Sequence, residues 1–179
     1  MNFSITLLEK LAQEMAPSTS EIIQRESKMP ILKIDAKDLR KVMLILRDNP
    51  VFEMKYINNI SGVHLTAIKE DGTLDLKGVE VLYVLSSKLD FSTIAIRVDL
   101  PEVNPEIDTI DDLFVSANWF EREIYDLLGV NFINSQDLRR IMLPDDWQGH
   151  PLRRDYKENA SYNGMPTTRP NELDAIRVE

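Results

Sequence analysis

The chain has 179 residues, 43% of them hydrophobic, which is enough for one ordinary domain with an appendage to bury a core. Its formal charge of -9 and isoelectric point near 4.8 argue against electrostatic attraction to nucleic acid or anionic lipid. The absence of cysteine excludes disulfides, thiolate nucleophiles and cysteine-ligated iron–sulfur or zinc sites.

Hydrophobic periodicity predicts an α+β fold for the first hundred residues. Apolar residues at helical spacing predict two helices, over Thr6 to Met15 and around Leu39 to Leu46. Apolar runs predict strands at Glu21 to Arg25, Ile31 to Ile34, Phe52 to Ile60, Val79 to Ser86 and Phe91 to Val98, with a further candidate at Val63 to Ile68. This order predicts a two-layer sandwich of two helices on a mixed sheet of about five strands, followed by a helix and an extended irregular C-terminal segment.

The second half of the chain divides into two further regions. A helical pattern runs from Asp111 to Leu128, with a break predicted near Ser116 and an end at Gly129. Beyond it, prolines and glycines interrupt every element, although the segment is too apolar for a disordered tail. We therefore expect an α+β domain over 1–100, a connecting segment and acidic helix over 101–130, and an extended segment over 131–179 that covers another surface, either that of its own domain or that of a partner.

Several kinds of site have no sequence support. Every glycine is isolated, so neither a dinucleotide fingerprint nor a phosphate-binding loop is present. His64 and His150 have no metal-ligand spacing, and His64 is interpreted as an ordinary strand residue. The apolar runs are too short for a transmembrane span, and no secretory signal is recognised.

The predicted acidic helix carries three carboxylates that could have a function, Glu121, Glu123 and Asp126. They could bind a metal or relay protons. Alternatively, they form a solvated face in which Arg122 and Asp126 pair at i,i+4. The interpretation that we favour is salt bridging to a neighbouring protein.

The C-terminal segment carries balanced charge and a tryptophan. Four arginines (Arg139, Arg140, Arg153, Arg154) are matched by four aspartates (Asp137, Asp145, Asp146, Asp155). Because paired signs do not steer a polyanion, this balance favours carboxylate–arginine bridging over phosphate or RNA contact. Trp147 is interpreted as an interface anchor rather than a core residue.

About forty residues carry a family resemblance. The motifs are Trp119-Phe120-Glu121-Arg122-Glu123, Tyr125-Asp126-Leu127-Leu128-Gly129-Val130, Phe132, Leu138-Arg139-Arg140-Ile141, Leu143-Pro144-Asp145-Asp146-Trp147 and Gly149-His150-Pro151-Leu152-Arg153-Arg154-Asp155-Tyr156. Their order resembles the 30-kDa (C) subunit family of NADH:quinone oxidoreductase, respiratory complex I. One departure is Ser135-Gln136, where family members usually have a His-Pro pair.

The resemblance implies a peripheral subunit of the hydrophilic arm, on the cytoplasmic face of the inner membrane, that packs chiefly against the quinone-site (49-kDa, D) subunit. It also implies that this chain holds no cofactor, while FMN, iron–sulfur clusters and quinone belong to partner subunits. The residues expected to contact other subunits are Glu121, Arg122, Glu123, Asp126, Arg139, Arg140, Asp145, Asp146, Trp147, His150, Arg153, Arg154, Asp155 and Tyr156.

Three alternatives remain open at this point. Similar subunits occur in energy-converting membrane hydrogenases and in ferredoxin- or F420-dependent quinone or phenazine reductases. A free-standing acid–base enzyme would use one of the helix carboxylates, and it would need a cleft and a perturbed pKa. A soluble adaptor would use the C-terminal segment to wrap an unrelated partner.

Overall fold

The computed structural model describes residues 21–23, 29–69 and 74–167. The strands are β1 (Glu21–Ile23), β2 (Ile31–Ile34), β3 (Tyr56–Ile68), β4 (Leu74–Ser86), β5 (Thr93–Leu100), β6 (Glu106–Asp108), β7 (Asn131–Ile133), β8 (Ser161–Tyr162) and β9 (Met165–Pro166). The helices are α1 (Leu39–Asp48), preceded by a 3-10 turn (Ala36–Asp38), and α2 (Ala117–Leu128). The helix predicted over Thr6 to Met15 lies outside the described residues.

The main sheet has five strands in the order β1-β2-β5-β4-β3. Strand β2 runs parallel to β5, and the remaining pairs are antiparallel, so the sheet is mixed as predicted. Strands β6 and β7 pair in parallel, and β8 and β9 form a short hairpin in an otherwise irregular C-terminal segment. The α+β prediction is therefore confirmed.

The third strand differs from its prediction. The two runs expected at Phe52 to Ile60 and Val63 to Ile68 are one strand, β3, which begins at Tyr56. Phe52 lies instead in a turn, in which its backbone N–H donates to the carbonyl of Asn49 at 3.0 Å. The side chain of Phe52 is buried. Gly62 lies between the two predicted runs and does not end the strand, because it pairs with Val81 of β4. The absence of a side chain at this position makes room for the side chain of Leu128 on α2.

The core lies on one face of the sheet. The stripe predicted on α1 (Leu39, Val42, Met43, Leu46) is fully buried and joins alternate residues of β4 and β5, such as Tyr83 and Ile96. The opposite face carries ion pairs, including Lys33 with Asp99 at 2.9 Å and Arg97 with Glu80 at 3.0 Å. The same core cluster also includes Ile107, Ile124 and Phe132, which lie beyond residue 100.

Helix α2 is shorter than the predicted pattern. Residues 111–116 form turns, and the helix begins at Ala117, so the break expected near Ser116 is present. It ends at Gly129, whose φ of 77° lies in the left-handed region that glycine adopts most readily. The backbone N–H of Gly129 donates to the carbonyl of Tyr125 at 2.9 Å and so caps the last turn. The helix packs over β3, because Ile124 and Leu128 contact Gly62.

Candidate subunit interface

Asp126, near the end of α2, organises the start of the C-terminal segment. Its side chain is fully buried, and Oδ2 accepts the backbone N–H groups of Ile141, Met142 and Leu143 at 3.1, 2.8 and 2.9 Å. Its Oδ1 accepts a bond from Arg140 Nη1 at 2.8 Å. Burial raises the pKa of Asp126, but these hydrogen bonds outweigh it, so the net pKa is lowered and the carboxylate stays charged.

Backbone carbonyl groups make further contacts between the end of α2 and the C-terminal segment. The carbonyl of Asp126 accepts the Nδ1–H of His150 at 2.9 Å, and the guanidinium of Arg140 reaches the carbonyl of Gly149 at 3.2 Å. A Cβ at Gly129 would lie 2.7 Å from the ring of His150. The imidazole therefore packs against the helix end only because residue 129 has no side chain.

A separate cluster attaches residues 153–155 to the sheet. His64, 5% exposed on β3, accepts the backbone N–H of Arg154 at Nδ1 over 2.9 Å. That bond leaves the proton on Nε2, which donates to Glu102 at 2.7 Å. Arg153 forms ion pairs with Glu102 and, at 3.1 Å, with Asp155. His64 is a strand residue, as interpreted, but it also links distant parts of the chain through both ring nitrogens.

His64, Glu102 and Asp155 each place one potential metal-ligand atom within 4.8 Å of the others, a spacing that could hold a metal ion. The guanidinium of Arg153 contacts both carboxylates. A fixed cation already neutralises the two acids, and both imidazole nitrogens are engaged in hydrogen bonds. The geometry therefore favours an ionic attachment of the C-terminal segment over metal coordination.

Glu121 lies inside the protein at the first turns of α2. It is 1% exposed, and its carboxylate accepts the Thr109 hydroxyl at 2.5 Å and the backbone N–H of Ile110 at 2.9 Å. Burial raises the pKa of Glu121 to about 7, although both hydrogen bonds act to lower it. Its negative charge contributes to raising the pKa of the buried Tyr83, behind burial itself. Glu121 thus fixes α2 to the segment after β6.

The interpretation of the helix carboxylates as a solvated face was wrong for two of them, because Glu121 and Asp126 are buried. The i,i+4 pairing was also wrong. Arg122 donates to the carbonyl of Arg139 at 3.0 Å and lies 3.7 Å from Asp137. Asp126 pairs with Arg140 instead, because the C-terminal segment folds back along the helix.

The remaining residues expected at the interface differ in exposure. The exposed ones are Glu123, Arg139, Asp145, Asp146, Arg154 and Asp155, and the half-buried ones are Arg122, Arg140, Trp147, His150, Arg153 and Tyr156. The ring of Trp147 packs 5.1 Å from that of Tyr162, whose hydroxyl donates to Asp146 at 2.8 Å. The structure thus joins most of the fourteen residues within this chain. Glu121 and Asp126 face its interior, and contacts of the exposed and half-buried residues with other subunits remain a prediction.

Sequence reasoning did not identify three participants. His64 and Glu102 bond residues that are 38 to 90 positions away, so no local spacing could have revealed them. Thr109 escaped notice because a single threonine carries no pattern. Alternation would have misplaced His64, because the apolar residues beside it in the strand, such as Val63, lie on the exposed side of β3.

Two solved structures have a similar fold. A chain in the solved structure of the membrane-bound sulfane sulfur reductase, an archaeal respiratory membrane complex, matches with a TM-score of 0.61 and 18% identity, covering 87% of this chain and 86% of that one. The trypsin-resistant fragment (1–134) of Nqo5 matches with a TM-score of 0.59 and 25% identity, covering 73% of this chain and 98% of the fragment.

The chain belongs to the family described as respiratory-chain NADH dehydrogenase, 30 Kd subunit, whose model matches residues 32–162. The NADH-quinone oxidoreductase C subunit of Geobacter metallireducens is 34% identical over 148 residues, covering 79% of this chain and 91% of the relative. The NADH-quinone oxidoreductase C/D subunit of Chromohalobacter salexigens is 35% identical, covering 84% of this chain and 26% of that longer protein. The resemblance read from the sequence is confirmed.

Across the part of the chain that the structure describes, no helix combines the length and apolar character needed to cross a membrane.

Proposed function

We propose that this chain is a cofactor-free structural subunit of the hydrophilic arm of a proton-pumping NADH:quinone oxidoreductase. It packs against the quinone-site (D) subunit and so supports electron transfer from NADH to quinone without carrying electrons. The observation that carries this proposal is the family match over residues 32–162, which includes the C-terminal segment attached to α2 and β3.

Two observations support the D subunit as the chief partner. Relatives named as C/D subunits carry both subunits in one protein, and covalent fusion keeps the two close together. The C-terminal segment also presents exposed charges of both signs, Arg139 and Arg154 beside Asp145 and Asp155, which suit a polar rim around a contact with another protein.

The polar clusters described above support a scaffold role. The four hydrogen bonds to the carboxylate of Asp126 and the two to the ring of His64 come from the chain itself. Such groups hold a backbone in place and have little capacity left for a ligand. FMN, iron–sulfur clusters and quinone would accordingly be bound by partner subunits. The chain would reach the cytoplasmic face of the inner membrane through the assembled complex.

The test is affinity purification of a tagged chain from host membranes in mild detergent, followed by mass spectrometry and an NADH:quinone activity assay. Flavin and iron–sulfur subunits together with NADH oxidation are expected. Nickel-containing partners with hydrogen activity would instead assign the chain to the hydrogenase branch. Recovery of the chain alone would contradict the proposal, and turnover by that isolated chain would support an acid–base enzyme.

Substitutions refine the same experiment. Arg153→Ala removes the ion pairs to Glu102 and Asp155, and Trp147→Ala removes the ring that packs on Tyr162. Both variants should recover less of the partner subunits while the isolated chain stays folded by circular dichroism. Normal amounts of a slowly turning-over complex would show that these residues serve catalysis rather than assembly.

A further inference from the structure

An apolar ridge lies on the outer side of α2, beside the C-terminal segment. We define the Trp119 ridge as Val115, Trp119, Arg139 and Met142. Val115 is 86% exposed, Trp119 66% and Met142 60%, and the side chain of Arg139 is 79% exposed. None of these apolar side chains contributes to the buried core.

Hydrogen bonds join α2 to the part of the C-terminal segment that carries Arg139 and Met142. Val115 lies in the turn just before α2, Trp119 lies in the first turn of the helix, and the guanidinium of Arg122 lies 5.5 Å from the centre of the Trp119 ring. Arg122 also donates to the carbonyl of Arg139, and Asp126 binds the backbone N–H of Met142. Arg122 therefore links the exposed indole of Trp119 to the C-terminal segment, and Asp126 holds the exposed Met142 further along the same helix.

The ridge is held rigid before any partner binds. Arg122 fixes one side of the indole and is itself bonded to Arg139 and close to Asp137, at 3.0 and 3.7 Å. A large aromatic ring on a helix, held by its neighbours, loses little side-chain entropy on binding. Trp and Arg are also the residue types that dominate binding energy at protein interfaces.

We propose that the Trp119 ridge is the docking face for the quinone-site (D) subunit, with the indole of Trp119 inserted into an apolar pocket of that subunit. This inference rests on the proposed function. Two observations favour the D subunit as the partner. The C/D fusions keep D beside C, and Arg139 of the ridge belongs to the C-terminal segment that we expect to contact partner subunits. Exposed Arg139 within the ridge and exposed Glu123 on the same helix as Trp119 supply charges of both signs.

The experiment compares variants of the full chain for binding to the purified D-type subunit of the same complex. Trp119→Ala removes the anchor, and Val115→Glu places a charge on the ridge at a position that is 86% exposed and outside the core. The matched control is Phe91→Ala, an aromatic that is 74% exposed in the turn between β4 and β5. Melting temperatures of all variants establish that each is folded.

At least a tenfold increase in Kd is expected for both ridge variants, against less than twofold for Phe91→Ala. If the wild-type chain binds D and both ridge variants bind D with the same affinity, the docking face is overturned while the proposed function stays intact. Failure of the wild-type chain to bind D would contradict the proposed function and the docking face together. Self-association of the wild type that is lost in Trp119→Ala, with D binding unaffected, would instead assign the ridge to a second copy of the chain.

Discussion

At the residue scale, two buried carboxyl groups on α2 have pKa values that are shifted in opposite directions. Asp126 receives three backbone N–H bonds and one guanidinium, and the pKa of its carboxyl is lowered. Glu121 receives two hydrogen bonds, and burial raises its pKa to about 7. Burial raises the pKa of both groups, and the hydrogen bonds outweigh burial at Asp126 but not at Glu121.

Replacing Asp126 by Asn should destabilise the chain by roughly 3 kcal/mol, because Arg140 loses its buried partner and the backbone N–H groups lose a charged acceptor. Urea unfolding measures the loss as a lower midpoint with an unchanged slope. The matched control is Glu123→Gln, an exposed residue on the same helix. Equal stability of Asp126→Asn and the control would contradict the role assigned to Asp126.

Glu121 should make stability depend on pH. In the folded chain it keeps its proton up to about pH 7, whereas in the unfolded chain it releases the proton near 4.5. The native state therefore binds more protons between these values, and the free energy of unfolding should fall by roughly 3 kcal/mol as the pH rises from about 4.5 to about 7.

Glu121→Gln removes the titration, so its stability should change less over that interval than that of the wild type. Denaturant midpoints at several pH values measure the difference, with Glu123→Gln as the control that keeps the wild-type slope. Parallel pH profiles for wild type and Glu121→Gln would show that another group is responsible.

At the scale of the elements, local pattern predicted α1, the strands of the sheet and the end of α2 at Gly129. These depend on periodicity and on a glycine cap, which a short stretch of sequence contains. Pattern could not show that β3 continues through Gly62, because the continuation depends on pairing with Val81 of β4, and the need for glycine there comes from the distant side chain of Leu128. Nor could it pair Asp126 with Arg140, because that contact exists only once the C-terminal segment folds back.

The attachment of residues 153–155 to β3 should depend on Glu102. Glu102→Gln keeps the size of the side chain but removes the charge that pairs with Arg153 and accepts from His64. Local opening of the segment should become more frequent, so trypsin should cleave after Arg153 or Arg154 several times faster than in the wild type. The control is Glu106→Gln on β6, whose carboxylate bonds Asn131. Equal cleavage rates for both variants would contradict the attachment.

At the scale of the whole molecule, the acidic stretch from Asp99 to Asp126 is matched by bases from elsewhere in the chain. Asp99 pairs with Lys33, Asp112 with Arg40 and Asp126 with Arg140. Of the three helix carboxylates that sequence reasoning assigned to a neighbouring protein, Asp126 is thus paired within this chain. The family signature identified the relatives, but it could not separate residues that hold the chain together from residues that face outward, such as Trp119.

The central claim is that this chain positions partner subunits and carries no electrons itself. The most direct measurement removes the chain from its host and compares, in isolated membranes, NADH oxidation by ferricyanide with NADH oxidation by quinone. A scaffold predicts that the quinone activity is lost and is restored by the wild-type chain, while flavin subunits still reduce ferricyanide. Loss of both activities, with the flavin subunit present in normal amounts and retaining its FMN, would contradict the scaffold role.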